Sequence, residues 1–536
     1  MSFSTYHTPR SVARFILLLF LIALSVLTFV WSYRSGFVTT YNDAMSHLNI
    51  ARLVIDNQEP GLYQLGSVWL PFNHLLSLSL IWNDTLWHSG LAGSVFSMVL
   101  YVLSVIGIFY CLRLLTQNEM ASVIGSGLFA LNFNLLYLQT TPLTEVAYIA
   151  LFVYSLLFFL LYLQRQSPRY LAVLGILGFL QLYSRYDGWF VVAIEGIVIL
   201  VLEFVVRKQS IKDVIGKILV FSTPILFGAA LWLLWNFLIY HNPLYFIYGP
   251  YSAHAQQEVI GEHSELLSKG SVYWSTLAYW YVLKSNVGSF VTALSLFALG
   301  WYFFQKEILL NARERIGFLF ILVAPIVFNI IALYLGFSII HMPELPQNST
   351  GSFANQWFNV RYGILALPLA AIFAGILALR GKIPALIVVL VIVLQGVSFW
   401  KNEGVVTLID GTIGASSFQQ REVAEVLKNL AKPEDTILFS LSFHNPVAFR
   451  SGIPLKQFIY EGVSRQWRNA LANPENYASL VVMSSNAPID PVQKATLIDN
   501  KEHFLEFYEL VYQGNEMSIY TRLPMDRWPK AGLTEI

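Results

Sequence analysis

Apolar residues recur along the first three quarters of the chain in runs of about 20, with polar residues gathered at the joints between them. That is the length a helix needs to cross roughly 30 Å of hydrocarbon. About eleven such runs can be read, starting near residues 14, 88, 120, 143, 170, 188, 214, 286, 316, 361 and 383. The stretch "RYLAVLGILGFLQLYSRYDGWFVVAIEGIVIL", from Arg169, is divided by the polar residues at Tyr186–Gly188. The run from Arg14 to Trp31 is too long for a signal-peptide core and lacks a small-residue cleavage site, so it reads as a retained helix. After Trp400 the pattern changes. "QQREVAEVLKNLA" has a helical period, while "DTILFSL" (435–441), "ASLVVMSS" (478–485) and "MSIYTR" (517–522) read as strands. Helices alternating with strands predict a small Rossmann-like α/β layer without the glycine-rich loop that nucleotide binding needs. The expected organisation is a polytopic α-helical membrane domain over residues 1–400, with loops 34–87 and 241–285, and a soluble α/β domain over 401–536.

Composition settles the class. The chain is 56% hydrophobic and 12% charged, against about 25% charged residues in soluble proteins, so it is read as an integral membrane protein. Its net charge of +1 says little about partners, because in a membrane protein the placement of charge matters more than its sum. The single cysteine, Cys111, lies inside an apolar run and reads as an inert, structural thiol.

The basic residues sort the joints into two sets. Arg10 and Arg14, Arg113, "RQSPR" (165–169), "RKQSIK" (207–212), "QKEILLNARER" (305–315) and "RGK" (380–382) fall at alternate joints. By the positive-inside rule these are cytoplasmic. The N-terminus is then cytoplasmic, and the C-terminal domain extracytoplasmic, in a plasma membrane read as prokaryotic. Asp43, His47, Glu145, Arg185, Asp187 and Arg361 all fall at or near the opposite helix ends. Ionisable residues at membrane depth are costly and mark functional sites.

Each of these residues has a bland reading beside the chemical one. In "TTYNDAMSHLNIA", Asp43 is either a carboxylate at a helix start or a general base, with His47 one turn further on. "PGLYQLGSVWLPFNHLL" (60–76) predicts a helix lying in the interface, anchored by Tyr63 and Trp69, with Gln64 and His74 either lining a polar pocket or simply packed. Glu145 in "TTPLTEVAYI" suits the first turn of a helix and equally a second carboxylate in a cavity. Arg185 and Asp187 in "LYSRYDGWF" sit among aromatics that could be an interface belt, or could recognise a phosphate or sugar hydroxyls. Arg361, followed by Tyr362 in "NQWFNVRYGILALP", opposes both the positive-inside bias and the helix dipole. Something negative must compensate it, and a lipid phosphate fits guanidinium geometry. His254, Glu258 and Glu262 share a helical spacing with His263 adjacent, but such spacing is common on solvated helices and no metal is assigned to it.

"YNDAMSH", "TPLTE", "SRYDGW" and "FNVRYG", set in many spans with a soluble C-terminal domain, resemble the GT-C superfamily of membrane glycosyltransferases. The protein O-mannosyltransferases and the lipid A aminoarabinose transferases are the nearest in pattern. The resemblance implies an inverting enzyme that takes a sugar from a polyprenyl-phosphate donor. Its acceptor would be a lipid, glycan or protein at the outer membrane face. It also implies Asp43 as base, His47 in support, Arg361 on the donor phosphate, and Glu145, Arg185 and Asp187 completing the pocket. Membrane lipids are the other expected partners; no cofactor and no nucleic acid is called for. Where many relatives have two adjacent acids, this chain has Asp43-Ala44. The competing reading is a multi-span transporter or flippase for a lipid-linked or glycan substrate. Such proteins usually place their polar groups near the bilayer midplane, in two related halves.

Overall fold

The computed structural model describes residues 9–250, 252–255, 258, 266–345, 356–414, 420–462, 466–485 and 490–528. Two compact units emerge. The first comprises Met1–Tyr41, Ser67–Asn73 and Gly93–Ser417; the second comprises Asn42–Gly66, His74–Ala92 and Phe418–Ile536.

The first unit is helical. Among the described residues eight helices are long and apolar enough to cross a membrane: Phe15–Arg34, Leu91–Thr116, Glu145–Arg165, Tyr186–Val206, Ile211–Tyr240, Ala312–Leu335, Val360–Leu377 and Lys382–Ile413. Val272–Val287 and Ser289–Tyr302 meet at 110° and would make a ninth span if counted together. The sequence reading has about eleven runs, and two of them form helices below the 18 residues of the shortest of these eight. The runs near residues 120 and 170 are helical but short, Glu119–Ala130 with 12 residues and Pro168–Ser184 with 17.

Local chemistry sets these ends. Asn118 caps the first of the two short helices by accepting the Ala121 N–H at 3.0 Å. Arg185, in extended backbone, ends the second. At the 110° bend Gly288 takes φ +96°, a conformation that side chains resist. There Gln395 Oε1 accepts the Phe290 N–H at 2.9 Å, satisfying a donor that the broken helix exposes. Glu145–Arg165 and Val360–Leu377 are the most enclosed spans, with 83% and 89% of their apolar windows buried. Their first residues therefore open inside the bundle, not on its flank.

The second unit holds a five-stranded sheet in the order β2-β1-β3-β5-β4. The strands are β1 (Ile437–Phe439), β2 (Phe458–Ile459), β3 (Leu480–Ser484), β4 (Tyr508–Gln513) and β5 (Met517–Arg522). β1 pairs in parallel with β2 and β3, placing Leu438 opposite Val481, while β5 lies antiparallel between β3 and β4. The strands read at 435–441, 478–485 and 517–522 are β1, β3 and β5. β2 and β4 escaped notice because one is two residues long and the other is mostly exposed.

The division of the chain differs from the 1–400 and 401–536 reading. Met45, Leu48 and Ala51 of helix Asn42–Leu53, together with Trp87, are buried in one core with Ile437, Phe439, Val482 and Ile519. Within the segment, Arg52 makes ion pairs to Asp56 at 3.1 Å and Asp84 at 2.7 Å. Much of the loop expected to decorate the membrane domain thus belongs to the α/β unit. Helix Val406–Ile413 belongs to the helical unit, since the Thr407 N–H donates to Asn134 Oδ1 at 3.0 Å. The interfacial helix expected over 60–76 is instead a 3-10 turn, Leu62–Leu65, and a short helix, Phe72–Ser77. Gly66 at φ +75° and Pro71 interrupt the helix between them.

Candidate active site

Two innermost helices and one tight joint build the centre of the first unit. Glu145 opens helix Glu145–Arg165, Arg361 lies in the 3-10 turn Val360–Ala366 that opens the next, and Arg185 is the single residue between Pro168–Ser184 and Tyr186–Val201. Gly363 lets this turn press onto helix Val272–Val287: a Cβ there would overlap the Val282 carbonyl oxygen. Asn286 Nδ2 then donates to the Val360 carbonyl at 2.7 Å and Tyr279 Oη to that of Tyr362 at 3.1 Å, which fixes the backbone on both sides of Arg361.

The charged groups meet in one buried cluster. Glu145 Oε1 accepts from Arg185 Nη1 and from Arg361 Nε, both at 3.0 Å. Asp187 Oδ2 accepts from Arg185 Nε at 2.9 Å and its Oδ1 from Asn329 Nδ2 at 2.8 Å. Tyr362 lies beneath both guanidiniums, with ring distances of 4.7 Å to Arg185 and 5.2 Å to Arg361. The anion that Arg361 demanded at a helix start is therefore a carboxylate of the chain itself.

Two residues missed in the sequence complete this cluster. The Tyr41 ring packs 4.9 Å from the Arg361 guanidinium, and its hydroxyl donates to the Thr407 carbonyl at 2.6 Å and lies 3.4 Å from Asp410 Oδ2. Burial, and then the Asp410 carboxylate, hold the Tyr41 phenol well above its usual pKa, keeping it a donor. Asp410 is fully buried. A lone acid in "VVTLIDGTI", just beyond the last apolar run, was the signal that could have found it.

Asp43, His47, Gln64 and His74 belong to the second unit. Asp43 stands in the first turn of helix Asn42–Leu53, and His47 lies one turn on. His47 Nδ1 is 2.8 Å from His74 Nε2, so the two histidines form a pair. Burial, and then the neighbouring His47, push His74 well below the usual histidine pKa. Gln64 spends its amide on the Glu59 carbonyl at 2.8 Å and the Tyr460 hydroxyl at 2.7 Å. His254 is 3.6 Å from Glu258, while Glu262 and His263 lie outside the described residues.

A serine, a histidine and an aspartate also meet in the second unit, but not as a catalytic relay. Ser484 Oγ and Asp490 Oδ2 both lie 3.0 Å from the same His444 Nε2, and Gln420 is 3.1 Å from Nδ1. A nucleophile triad needs its serine and its acid on opposite ring nitrogens. Burial raises the Asp490 pKa, but His444 and the Ser484 and Val492 N–H groups outweigh it and hold the carboxyl below its usual range.

No family model and no curated protein matches the sequence. The structure is similar to that of ArnT from Cupriavidus metallidurans bound to undecaprenyl phosphate, at TM-score 0.57 and 11% identity over 96% of this chain and 99% of that one. The apo form of the same protein superposes with TM-score 0.56, at 11% identity, over 97% of this chain and 100% of that one. This chain has the GT-C fold. An oligosaccharyltransferase from Archaeoglobus fulgidus superposes less well, at TM-score 0.48 and 11% identity, covering 95% of this chain and 74% of that one. At such identity the GT-C likeness speaks for the course of the backbone, and the chemistry rests on the residues described above.

Proposed function

We propose that this protein is an inverting membrane glycosyltransferase that moves a sugar from a polyprenyl-phosphate donor to an acceptor at the outer face of the membrane. The observation that carries the reading is the buried cluster of Arg361, Arg185, Glu145 and Asp187, opening at the starts of interior helices in a GT-C fold. Guanidinium groups in a low-dielectric setting stabilise charge that builds on a departing phosphate. In this reading Arg361 neutralises the leaving phosphate, Tyr362 and Tyr41 hold its guanidinium, and Asp187 and Asn329 keep Arg185 in place. Asp43 takes the proton of the acceptor as it attacks the anomeric carbon from the face opposite the phosphate. That bond forms as the glycosidic C–O bond breaks, and the electron pair leaves on the phosphate. His47, paired with His74, supports Asp43. That ArnT was crystallised with undecaprenyl phosphate favours a lipid of this class as carrier.

The test is transfer of labelled sugar from a panel of polyprenyl-phosphate sugars by purified protein in lipid. Asp43→Asn should abolish transfer while donor binding persists, and Arg361→Ala should weaken donor binding. Asp43→Asn transferring at the wild-type rate, or a wild type that consumes no donor, sinks the assignment and moves the flippase reading ahead.

A further inference from the structure

The charge in the cluster leaves a question that the donor-phosphate reading does not answer. Arg185 and Arg361 are matched by Glu145 and Asp187, and Asp410 adds a further buried acid against Tyr41. A phosphodiester entering this site brings one more negative charge to a cluster whose charges, among the described residues, show no positive excess. Uncompensated buried charge costs several kcal/mol, and sites commonly avoid it by changing a protonation state.

The two matched carboxylates are not equally able to take a proton. Asp187 has both oxygens engaged, one by Arg185 and the other by Asn329. Glu145 places both arginine contacts on Oε1; its Oε2 is buried and, among the described residues, has no hydrogen-bond partner. One oxygen of Glu145 is thus open to a proton while the other keeps Arg185. The groups facing it are Arg185, Arg361, Asp187 and Tyr362, with Tyr41 and Asp410 behind Arg361 and Tyr148 one turn along its own helix.

We propose that the site takes a monoanionic phosphodiester together with one proton, which enters on Oε2 of Glu145 as the phosphate takes over its share of Arg361. Glu145 is then the stand-in anion of the empty site, and its protonation keeps the buried charge constant when the ligand replaces it. No covalent bond changes in this step, and the proton comes from solvent. The inference rests on the donor-phosphate reading of Arg361.

The experiment is calorimetric titration of the purified protein with an undecaprenyl methyl phosphodiester, which holds one charge across the range and titrates nothing itself. Titrations in PIPES and in Tris, whose ionisation enthalpies differ, count protons taken up. Uptake of about one proton per ligand is expected, with the Kd falling about tenfold for each unit of pH lowered between 8 and 6. Glu145→Gln, a permanent mimic of the protonated form, should bind with no uptake and no pH dependence. Wild-type binding with no proton uptake and a flat pH profile overturns the proposal and leaves the donor reading standing. Failure of the wild type to bind the phosphodiester at any pH overturns both. Should Glu145→Gln fail to fold, the wild-type proton count decides alone.

Discussion

Glu145 is the residue on which the buried cluster turns, because one of its oxygens serves two arginines. Removing it leaves guanidinium charge buried with, among the described residues, Asp187 as the remaining ion-pair partner of Arg185, a loss of the kind that costs about 3–5 kcal/mol. Glu145→Ala should therefore lower the melting temperature sharply in detergent, and adding Arg361→Met should recover part of the loss. Equal melting temperatures for Glu145→Ala and wild type would mean that the cluster is not what holds these helix starts. Arg361 itself was legible in the sequence, since an arginine against the helix dipole calls for an anion. The identity of that anion was not legible, because the two residues are 216 positions apart.

His74 contributes to the pH dependence of the second unit, as does His88, whose pKa burial also lowers. The folded pKa of His74 lies below the histidine value of 6.5, so the unfolded chain binds the proton more readily. The stability it supports is complete above about pH 6.5 and is lost as pH falls from there through the depressed folded value. Melting curves between pH 7.5 and 5 should show this decline, and His74→Gln should make it shallower. A decline of unchanged steepness in the variant assigns the pH sensitivity to other groups.

At the scale of the element, the turn Val360–Ala366 is held by close approach. Gly363 presses against the Val282 carbonyl, and Asn286 and Tyr279 tie the backbone to either side of Arg361. Gly363→Ala should push the turn away from helix Val272–Val287, at an overpacking cost of about 1–3 kcal/mol. Donor affinity should fall in the same variant, because Arg361 moves with its backbone. Retention of both wild-type stability and affinity would show that the turn tolerates displacement. Elements of this kind are half legible. The apolar runs announced helices nearly everywhere, but hydropathy records only that a run is buried or lipid-facing. It does not give the length of each helix, 12 residues at Glu119–Ala130, nor does it foresee the 110° bend at Gly288.

At the scale of the whole molecule, the basic joints predict that the α/β unit faces outward. Cys111 is the single cysteine of the sequence, so a Cys111→Ser background carries no thiol for such reagents. Into that background, a cysteine in place of exposed Lys501 should react with a membrane-impermeant maleimide in intact cells. One in place of exposed Arg165 should react only after permeabilisation. The reverse pattern would invert the topology and place the cluster at the cytoplasmic face.

By itself the sequence determined that the protein is a helical membrane protein with a small α/β unit. From it the unusual charges are also expected at one set of helix ends, because hydropathy and the placement of basic residues are properties of short stretches. Tertiary structure decided which of those charges share one cluster. It joined Glu145, Arg185, Asp187 and Arg361, added Tyr41 and Asp410, and placed helix Asn42–Leu53 in the second unit. Ion pairing and core packing act between residues distant in the chain, and no local pattern records which distant partner will satisfy a buried charge or an apolar face.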